Sequence, residues 1–141
     1  MIFDSPGAAE AAFYRAFAKL DLAEMRAVWI HSGDASCMHP GAELLQGSEE
    51  IMASWASIFD NSQAPQVEHR LIRACTDQNL AVHTVAETVS AGSGRSSALI
   101  VATNVYTRAE GGSWRILAHH TSLPLVEPNP DSGQEQPHAL H

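Results

Sequence analysis

The apolar residues change their spacing once along this chain, close to Val67. Before that point they recur every three or four residues, as in the stripe of Ile51, Trp55 and Phe59, which is typical of a helix packed on a core. After it, four stretches of strand-like sequence are separated by turn-forming runs such as TDQN, GSG and EGG. Helices followed by strands favour an α+β fold, in which the helices pack on one face of an antiparallel sheet.

Three helices are predicted before Val67. Ser5 suits the N-cap of the first helix. Asp21, with Glu24 three residues later, forms a capping box for a short second helix. Gly47 precedes the third helix, whose first turn is acidic, as the helix dipole favours. Between the second and third helices, the segment ASCMHPG predicts a short strand that ends at Pro-Gly.

The chain is acidic, with 16 Asp and Glu against 8 Lys and Arg and a formal net charge of −8. It has no basic cluster, so we expect neither nucleic acid nor an anionic membrane surface as a partner. No apolar run approaches the length of about 20 residues that crosses a bilayer, and the first residues do not resemble a secretory leader. Cys37 and Cys75 fit no CxxC pattern. We therefore expect a one-domain cytoplasmic protein with reduced cysteines.

The segment SSALIVATNVY is apolar on both faces of its predicted strand. Leu99, Val101 and Val105 lie on one face, and Ile100 and Tyr106 lie on the other. Three helices cover only one face of such a sheet, so the second face needs another cover. We expect a homodimer that forms through this outer face of the sheet.

A set of motifs spanning most of residues 5–124 is shared with one known family: Trp29, CMHPG, GSEEIMASWASIF, TNVYTRAEGGSWRI and AHHTS. Together they resemble the SnoaL-like branch of the nuclear transport factor 2-like superfamily. The last two motifs also resemble the association domain of calcium/calmodulin-dependent protein kinase II. The resemblance implies a cone-shaped α+β fold, with three N-terminal helices packed on a strongly curved, mostly antiparallel sheet.

The domain organisation follows from the same resemblance. We expect a SnoaL-like cone domain over residues 1–126. Residues 127–141 are rich in Pro and polar residues, and we expect them to form a flexible C-terminal tail.

The resemblance places working groups inside a conical pocket. His39 matches the position of the catalytic Asp base in the steroid isomerases of this fold, where a His could move protons near neutral pH. Alternatively, His39 fixes the Pro-Gly turn through a backbone hydrogen bond. Asn104 matches the acidic oxyanion-hole donor of the same enzymes, or else is a polar residue satisfied by its neighbours. His39 and Asn104 are therefore the candidate catalytic residues.

One element of those isomerases has no expected counterpart. Their phenolic donor falls near Phe13 in the first helix, and we expect the following Tyr14 to point to a different side of that helix. The hydroxyl pair that would stabilise an enolate is therefore not reproduced.

The kinase association domain lines its pocket with arginines, and the matching positions here are near Thr84, Asn104 and Thr121. None of the three is basic, so a carboxylate ligand of that kind is not supported. Thr84 and Thr121 are instead expected to contribute to a neutral pocket wall.

The last strand carries two adjacent histidines, whose side chains must point to opposite faces. If Thr121 faces the pocket, so do His119, Leu117 and Arg115, each two residues apart. His119 is then the pocket residue, and His120 faces the outer surface or a partner subunit. A β-bulge would exchange the two histidines.

Four aromatic residues are expected to line an apolar wall of the pocket, suited to a flat or cyclic ligand: Trp29, Trp55, Phe59 and Tyr106. Aromatic residues at this spacing also build ordinary cores. No metal site is expected, because the eight histidines show no HxH or HxxxH spacing, and no cofactor motif is present.

Three functions remain open. The first is a homodimeric SnoaL-like domain that binds a small molecule in an apolar pocket. The second is an isomerase, cyclase or dehydratase that transfers protons on a small cyclic substrate, with His39 as base and with Asn104 and His119 as donors. The third is an oligomerisation module of the kinase association-domain type, which an expected stand-alone chain disfavours.

Overall fold

The computed structural model describes residues 1–61, 63–90 and 97–123, which form three helices and one six-stranded sheet. The helices are α1 (Pro6–Lys19), α2 (Leu22–Val28) and α3 (Ser48–Asp60). The strands are β1 (Ser36–Met38), β2 (Leu45–Gln46), β3 (Gln66–Thr76), β4 (Leu80–Ser90), β5 (Ser97–Arg108) and β6 (Trp114–Ser122). The predicted GSG turn and the predicted tail at 127–141 lie outside the described residues.

The helix ends follow the capping residues of the sequence. The Ser5 hydroxyl accepts a hydrogen bond from the backbone N–H of Ala8 at 3.0 Å, and Pro6 occupies the first turn of α1. Leu20, in the left-handed conformation at φ 53°, ends that helix. The Asp21 carboxylate accepts from the backbone N–H of Glu24 and so caps α2.

The sheet has the strand order β2-β1-β6-β5-β4-β3. Strand β1 pairs in parallel with β6, and the other neighbouring strands are antiparallel. The four long strands are therefore consecutive in the sequence and in the sheet, and this is the arrangement that short turns between them favour. The predicted α+β class, with three helices and a mostly antiparallel sheet, is confirmed.

The helices pack on one face of the sheet, the inner face, and the core lies between them. Along β4 the inner face alternates between buried apolar and buried polar residues: Ala81, His83, Val85 and Glu87. The largest fully buried side chains of the core include Trp29, Trp55 and Tyr106. None of the helices in the described part of the chain is long and apolar enough to cross a membrane.

A β-bulge in β6 changes which residues face inward. Val105 pairs with Ala118 and Tyr106 with Ile116, so that Leu117 is the extra residue. Ile116 is buried and Leu117 is only partly buried. The expectation that Leu117 and Arg115 share the inner face with His119 is therefore wrong, because the bulge reverses the alternation before His119.

The capping bond of α1 gives a direct test of this fold. We expect Ser5→Ala to lower the free energy of unfolding by about 1 kcal/mol, since the backbone N–H of Ala8 loses its acceptor. Urea unfolding followed by circular dichroism measures the change. Ser5→Asn is the matched control, because its side chain can accept the same bond. Equal losses in both variants would contradict the capping explanation.

Candidate functional site

A cavity of about 190 Å³ lies between α1, α3 and the inner face of the sheet. Its lining comes from α1, the turn after β1, α3 and the three strands β4, β5 and β6. The lining residues are Phe17, His39, Pro40, Trp55, Ile58, Glu87, Val89, Ile100, His119 and Thr121.

Trp55 forms the centre of an aromatic wall. Its ring lies edge-on to Phe17, with centroids 5.3 Å apart, and edge-on to His39 at 4.8 Å. Phe13 and Phe59 pack against the same ring, each at 5.6 Å. These contacts fix the indole in one orientation, so the apolar side of the cavity is rigid.

Three titratable side chains, Glu87, His119 and His39, line the same cavity. Glu87 is 2% exposed and His119 is 2% exposed, and Oε2 of Glu87 lies 4.0 Å from Nε2 of His119. His39 lies at the cavity wall, where its Nε2 is 2.9 Å from the Ser54 hydroxyl. Polar chemistry is therefore concentrated beside the aromatic wall.

A chain of hydrogen bonds runs behind the cavity and connects Glu87 to His119. The Tyr14 hydroxyl donates to Oε2 of Glu87 at 2.5 Å, and Nδ2 of Asn104 donates to the Tyr14 hydroxyl at 3.1 Å. Oδ1 of Asn104 accordingly accepts from Nδ1 of His119 at 2.6 Å. This assigns the ring hydrogen of His119 to Nδ1, so Nε2 keeps its lone pair.

A second buried carboxylate extends this network. Oε1 of Glu10 accepts from the Tyr106 hydroxyl at 2.6 Å and lies 3.0 Å from Nδ1 of His83. It also receives a longer contact of 3.5 Å from Nδ2 of Asn104. Glu10 and Tyr14, one helical turn apart on α1, thus contact polar groups of β4 and β5.

Burial shifts the pKa values of the cavity groups in opposite directions. Removal from water raises the pKa of Glu87 to about 7, and the nearby Glu10 carboxylate adds to the rise, while the Tyr14 hydrogen bond opposes it. Burial, followed by the neighbouring His39 and His120, lowers the pKa of His119 to about 3. Burial also lowers the pKa of His39. Both cavity histidines are therefore neutral at pH 7.

The structure places six of the predicted site residues at two locations. His39, Trp55, His119 and Thr121 line the cavity. Asn104 and Tyr106 are fully buried in the network behind it. Asn104 is not among the residues that line the cavity, and its Nδ2 and Oδ1 atoms bond to Tyr14 and His119. His39 and Asn104 therefore do not converge on one point.

Three further predictions need correction or qualification. Thr84 lies on the outer face of the sheet, because it pairs with Thr103 between the inward residues His83 and Val85. Trp29 is fully buried in the core at the end of α2, where its backbone bridges to Ile116. Phe59 packs on Trp55 and is not among the residues that line the cavity.

The two histidines of β6 face opposite sides. His119 is buried against the cavity, while Nε2 of His120 lies 2.9 Å from the Ser36 hydroxyl. The His39 side chain contacts Ser54 of α3, and the His39 carbonyl oxygen accepts a hydrogen bond from the backbone N–H of Ala42 at 3.0 Å across the Pro-Gly turn. His39 therefore also makes a backbone hydrogen bond at this turn, as its alternative role requires.

Sequence reasoning missed Glu10, Tyr14, His83 and Glu87. Tyr14 reaches the network through its hydroxyl, so the expectation that it points away from the site is wrong. A signal was present: Glu10 and Tyr14 are four residues apart on an Ala-rich helix, and Glu87 follows Val85 on the inward phase of an apolar strand.

The structure also has a second depression, an open one at the start of α3, which is lined by polar side chains, among them Ser32, Ser48 and Glu50. Among the described residues, no group of three His, Cys, Asp or Glu side chains is arranged to hold a metal ion.

Comparison with known proteins identifies the class. A family model described as a SnoaL-like domain matches residues 8–126. The chain belongs to the SnoaL-like domain family, and its solved relatives confirm the expected nuclear transport factor 2-like fold.

Two solved structures that resemble this chain carry different functional descriptions. A proposed calcium/calmodulin-dependent protein kinase type II association domain from Thiobacillus denitrificans is 32% identical, with a TM-score of 0.83 over 88% of this chain and 98% of that one. A proposed dehydratase of the NTF2-like family from Streptomyces avermitilis is 28% identical, with a TM-score of 0.75 over 85% and 94%. The predicted similarity to the association domain is thereby confirmed.

A curated plant protein shares part of its sequence with this chain. The F-box protein SKIP8 of Arabidopsis thaliana is 26% identical over 106 residues, which are 75% of this chain. The chain covers 44% of the length of that protein.

The raised pKa of Glu87 makes stability depend on pH. The unfolded carboxyl loses its proton near 4.5 and the folded one near 7, so stability falls as pH rises between these values. Between pH 4.5 and about 7, the unfolding free energy of the wild type should fall by up to about 3 kcal/mol more than that of Glu87→Gln. Urea unfolding at a series of pH values measures the difference.

The control for this measurement is Glu68→Gln, which changes an exposed carboxylate on the neighbouring strand β3. Its unfolding free energy should run parallel to that of the wild type at every pH. A wild-type curve that also runs parallel to that of Glu87→Gln would refute a raised pKa at Glu87.

Proposed function

We propose that this protein is a small-molecule-binding SnoaL-like domain whose ligand occupies the cavity between Trp55 and Glu87. The observation that carries the proposal is the cavity itself, which has a rigid apolar wall on one side and a few polar groups on the other. This combination is typical of ligand sites, in which apolar surface supplies affinity and a small number of polar groups fix orientation.

The size of the cavity limits the ligand. A closed apolar cavity of about 150 Å³ is large enough to take up benzene. The cavity here, at about 190 Å³, has room for one ring with a short substituent. The ligand is therefore compact, and one flat side of it packs on Trp55.

Benzyl alcohol is a suitable probe, since it is a single ring with one short polar arm. We expect it to bind the wild type and to change the emission of Trp55, measured by fluorescence titration. Ile58→Trp, which fills the cavity from α3, should weaken binding by at least about tenfold.

Ile72→Trp is the matched control, because Ile72 is 50% exposed on β3 and does not line the cavity. It should bind the probe as the wild type does. If both variants bind benzyl alcohol equally well, the ligand does not occupy this cavity.

The proposed domain acts as a homodimer through the outer face of the sheet. The centre of that face is uncharged, with Val82 and Thr84 on β4 beside Val101, Thr103 and Val105 on β5. Charged residues stand at its margins, on β3 and at Arg115 of β6. An uncharged centre with a charged rim is the composition of many protein interfaces.

Val105→Glu places a charge at the centre of this face. We expect the wild type to have the mass of a dimer and Val105→Glu that of a monomer, because the buried charge would have no partner. Native mass spectrometry measures both. Leu44→Glu, at a 50% exposed apolar residue away from the sheet face, is the control and should remain a dimer.

The same measurement separates the proposed domain from an oligomerisation module, the alternative that the Thiobacillus relative suggests. A wild-type mass well above that of a dimer would favour the module. The alternative of a proton-transfer enzyme, which the Streptomyces relative suggests, has less support. Its expected donor, Asn104, is engaged by Tyr14 and His119 and does not line the cavity.

A further inference from the structure

Three polar side chains that line the cavity, Glu87, His119 and Thr121, offer hydrogen-bond acceptor atoms. Glu87 is a carboxyl group at the wall, and its Oε2 already accepts from Tyr14. Among the described residues, no hydrogen bond reaches its second oxygen, Oε1. A carboxylate held in this way has acceptor capacity left for a ligand.

The two β6 residues of the lining add further acceptor sites. Nδ1 of His119 donates to Asn104, so its Nε2 carries a lone pair. The Thr121 hydroxyl donates to the carbonyl oxygen of Met38 at 2.8 Å, which leaves its oxygen free to accept. A ligand with several N–H donors would satisfy more of these atoms than a ligand with acceptors alone.

Charge favours the same kind of ligand. The ten lining residues include one carboxyl group, two histidines of lowered pKa, and no Lys or Arg. The chain as a whole carries a formal charge of −8, which attracts cations. An anion would meet a carboxyl group in this cavity and no positive partner.

The aromatic wall supplies the remaining element. A cation within about 6 Å of an indole or phenyl face is attracted by the ring electrons, and the attraction grows when water is excluded. Trp55 and Phe17 provide two such rings beside Glu87. Together they offset part of the cost of removing a cation from water.

We propose that the cavity binds a small primary ammonium ion with a compact apolar body, whose NH₃⁺ group pairs with Glu87 and donates to His119. The apolar body packs on Trp55 and Ile58. This inference rests on the proposed function and specifies its ligand class.

Binding should depend on the protonation of Glu87, because only the carboxylate pairs with a cation. Around Glu87 lie groups from several elements: Tyr14 and Glu10 of α1, Cys37 of β1, His39 after β1, His69 of β3 and His119 of β6. Burial and Glu10 raise the pKa of Glu87 to about 7. Affinity for an ammonium ion therefore rises as pH increases through neutrality.

Three probes of nearly equal size separate the possible ligand charges: benzylamine, benzyl alcohol and benzoate, which are cationic, neutral and anionic at pH 7. We expect isothermal titration calorimetry with the wild type to give benzylamine the highest affinity, at least about tenfold above benzyl alcohol, with benzoate the weakest. Between about pH 6 and about pH 8, benzylamine affinity should rise by about tenfold while benzyl alcohol affinity stays constant.

Glu87→Gln tests the residue directly and keeps an acceptor for Tyr14. On this variant benzylamine should bind no more tightly than benzyl alcohol, and its affinity should no longer depend on pH. Glu68→Gln is the control and should behave as the wild type. The three-probe series on the wild type needs no variant, so the inference stays testable if Glu87→Gln folds poorly.

The outcomes distinguish this inference from the function on which it rests. Benzyl alcohol or benzoate binding as tightly as benzylamine would overturn the ammonium ligand and leave the binding function standing. Failure of all three probes to bind would overturn both.

Discussion

The fold depends on two polar side chains of α1 that satisfy the buried polar groups of the sheet. Glu10 accepts from Tyr106, and Tyr14 links Asn104 to Glu87. Buried polar groups without partners are costly, whereas a complete network is directional and admits one arrangement. The helix therefore docks on the sheet in a single register, and this register sets the position of Glu87 and His119 at the cavity.

The architecture could be predicted from the sequence because its signals are local. Ser5 and Asp21 cap helices where expected, and the change of period near Val67 separates helices from strands. The site was less predictable, since it depends on contacts between distant residues. The bulge at Leu117 and the reach of Tyr14 to Glu87, 73 residues away, have no signature in local spacing.

Burial of Glu87 and of His119 makes the stability of the folded state depend on pH in opposite directions. The buried carboxyl destabilises the protein once it ionises, and the buried imidazole destabilises it once acid would protonate the unfolded chain. Glu87 thus lowers stability as pH rises from 4.5 to about 7, and His119 lowers it as pH falls from 6.5 to about 3. Apolar residues at these two positions would avoid the cost in stability, but the chain has Glu and His there. Titratable groups that are kept at a cost in stability are common at binding and catalytic sites.

Strand β3 ends the sheet, and its residues are exposed along almost its whole length, including Leu71 and Ile72. Such an edge offers unpaired backbone groups to any extended chain and is a template for aggregation. The register shift between Leu71 and Arg73 interrupts the regular ladder, and Arg70 and Arg73 flank the apolar pair with positive charge. These features act as gatekeepers that keep the free edge from recruiting further strands.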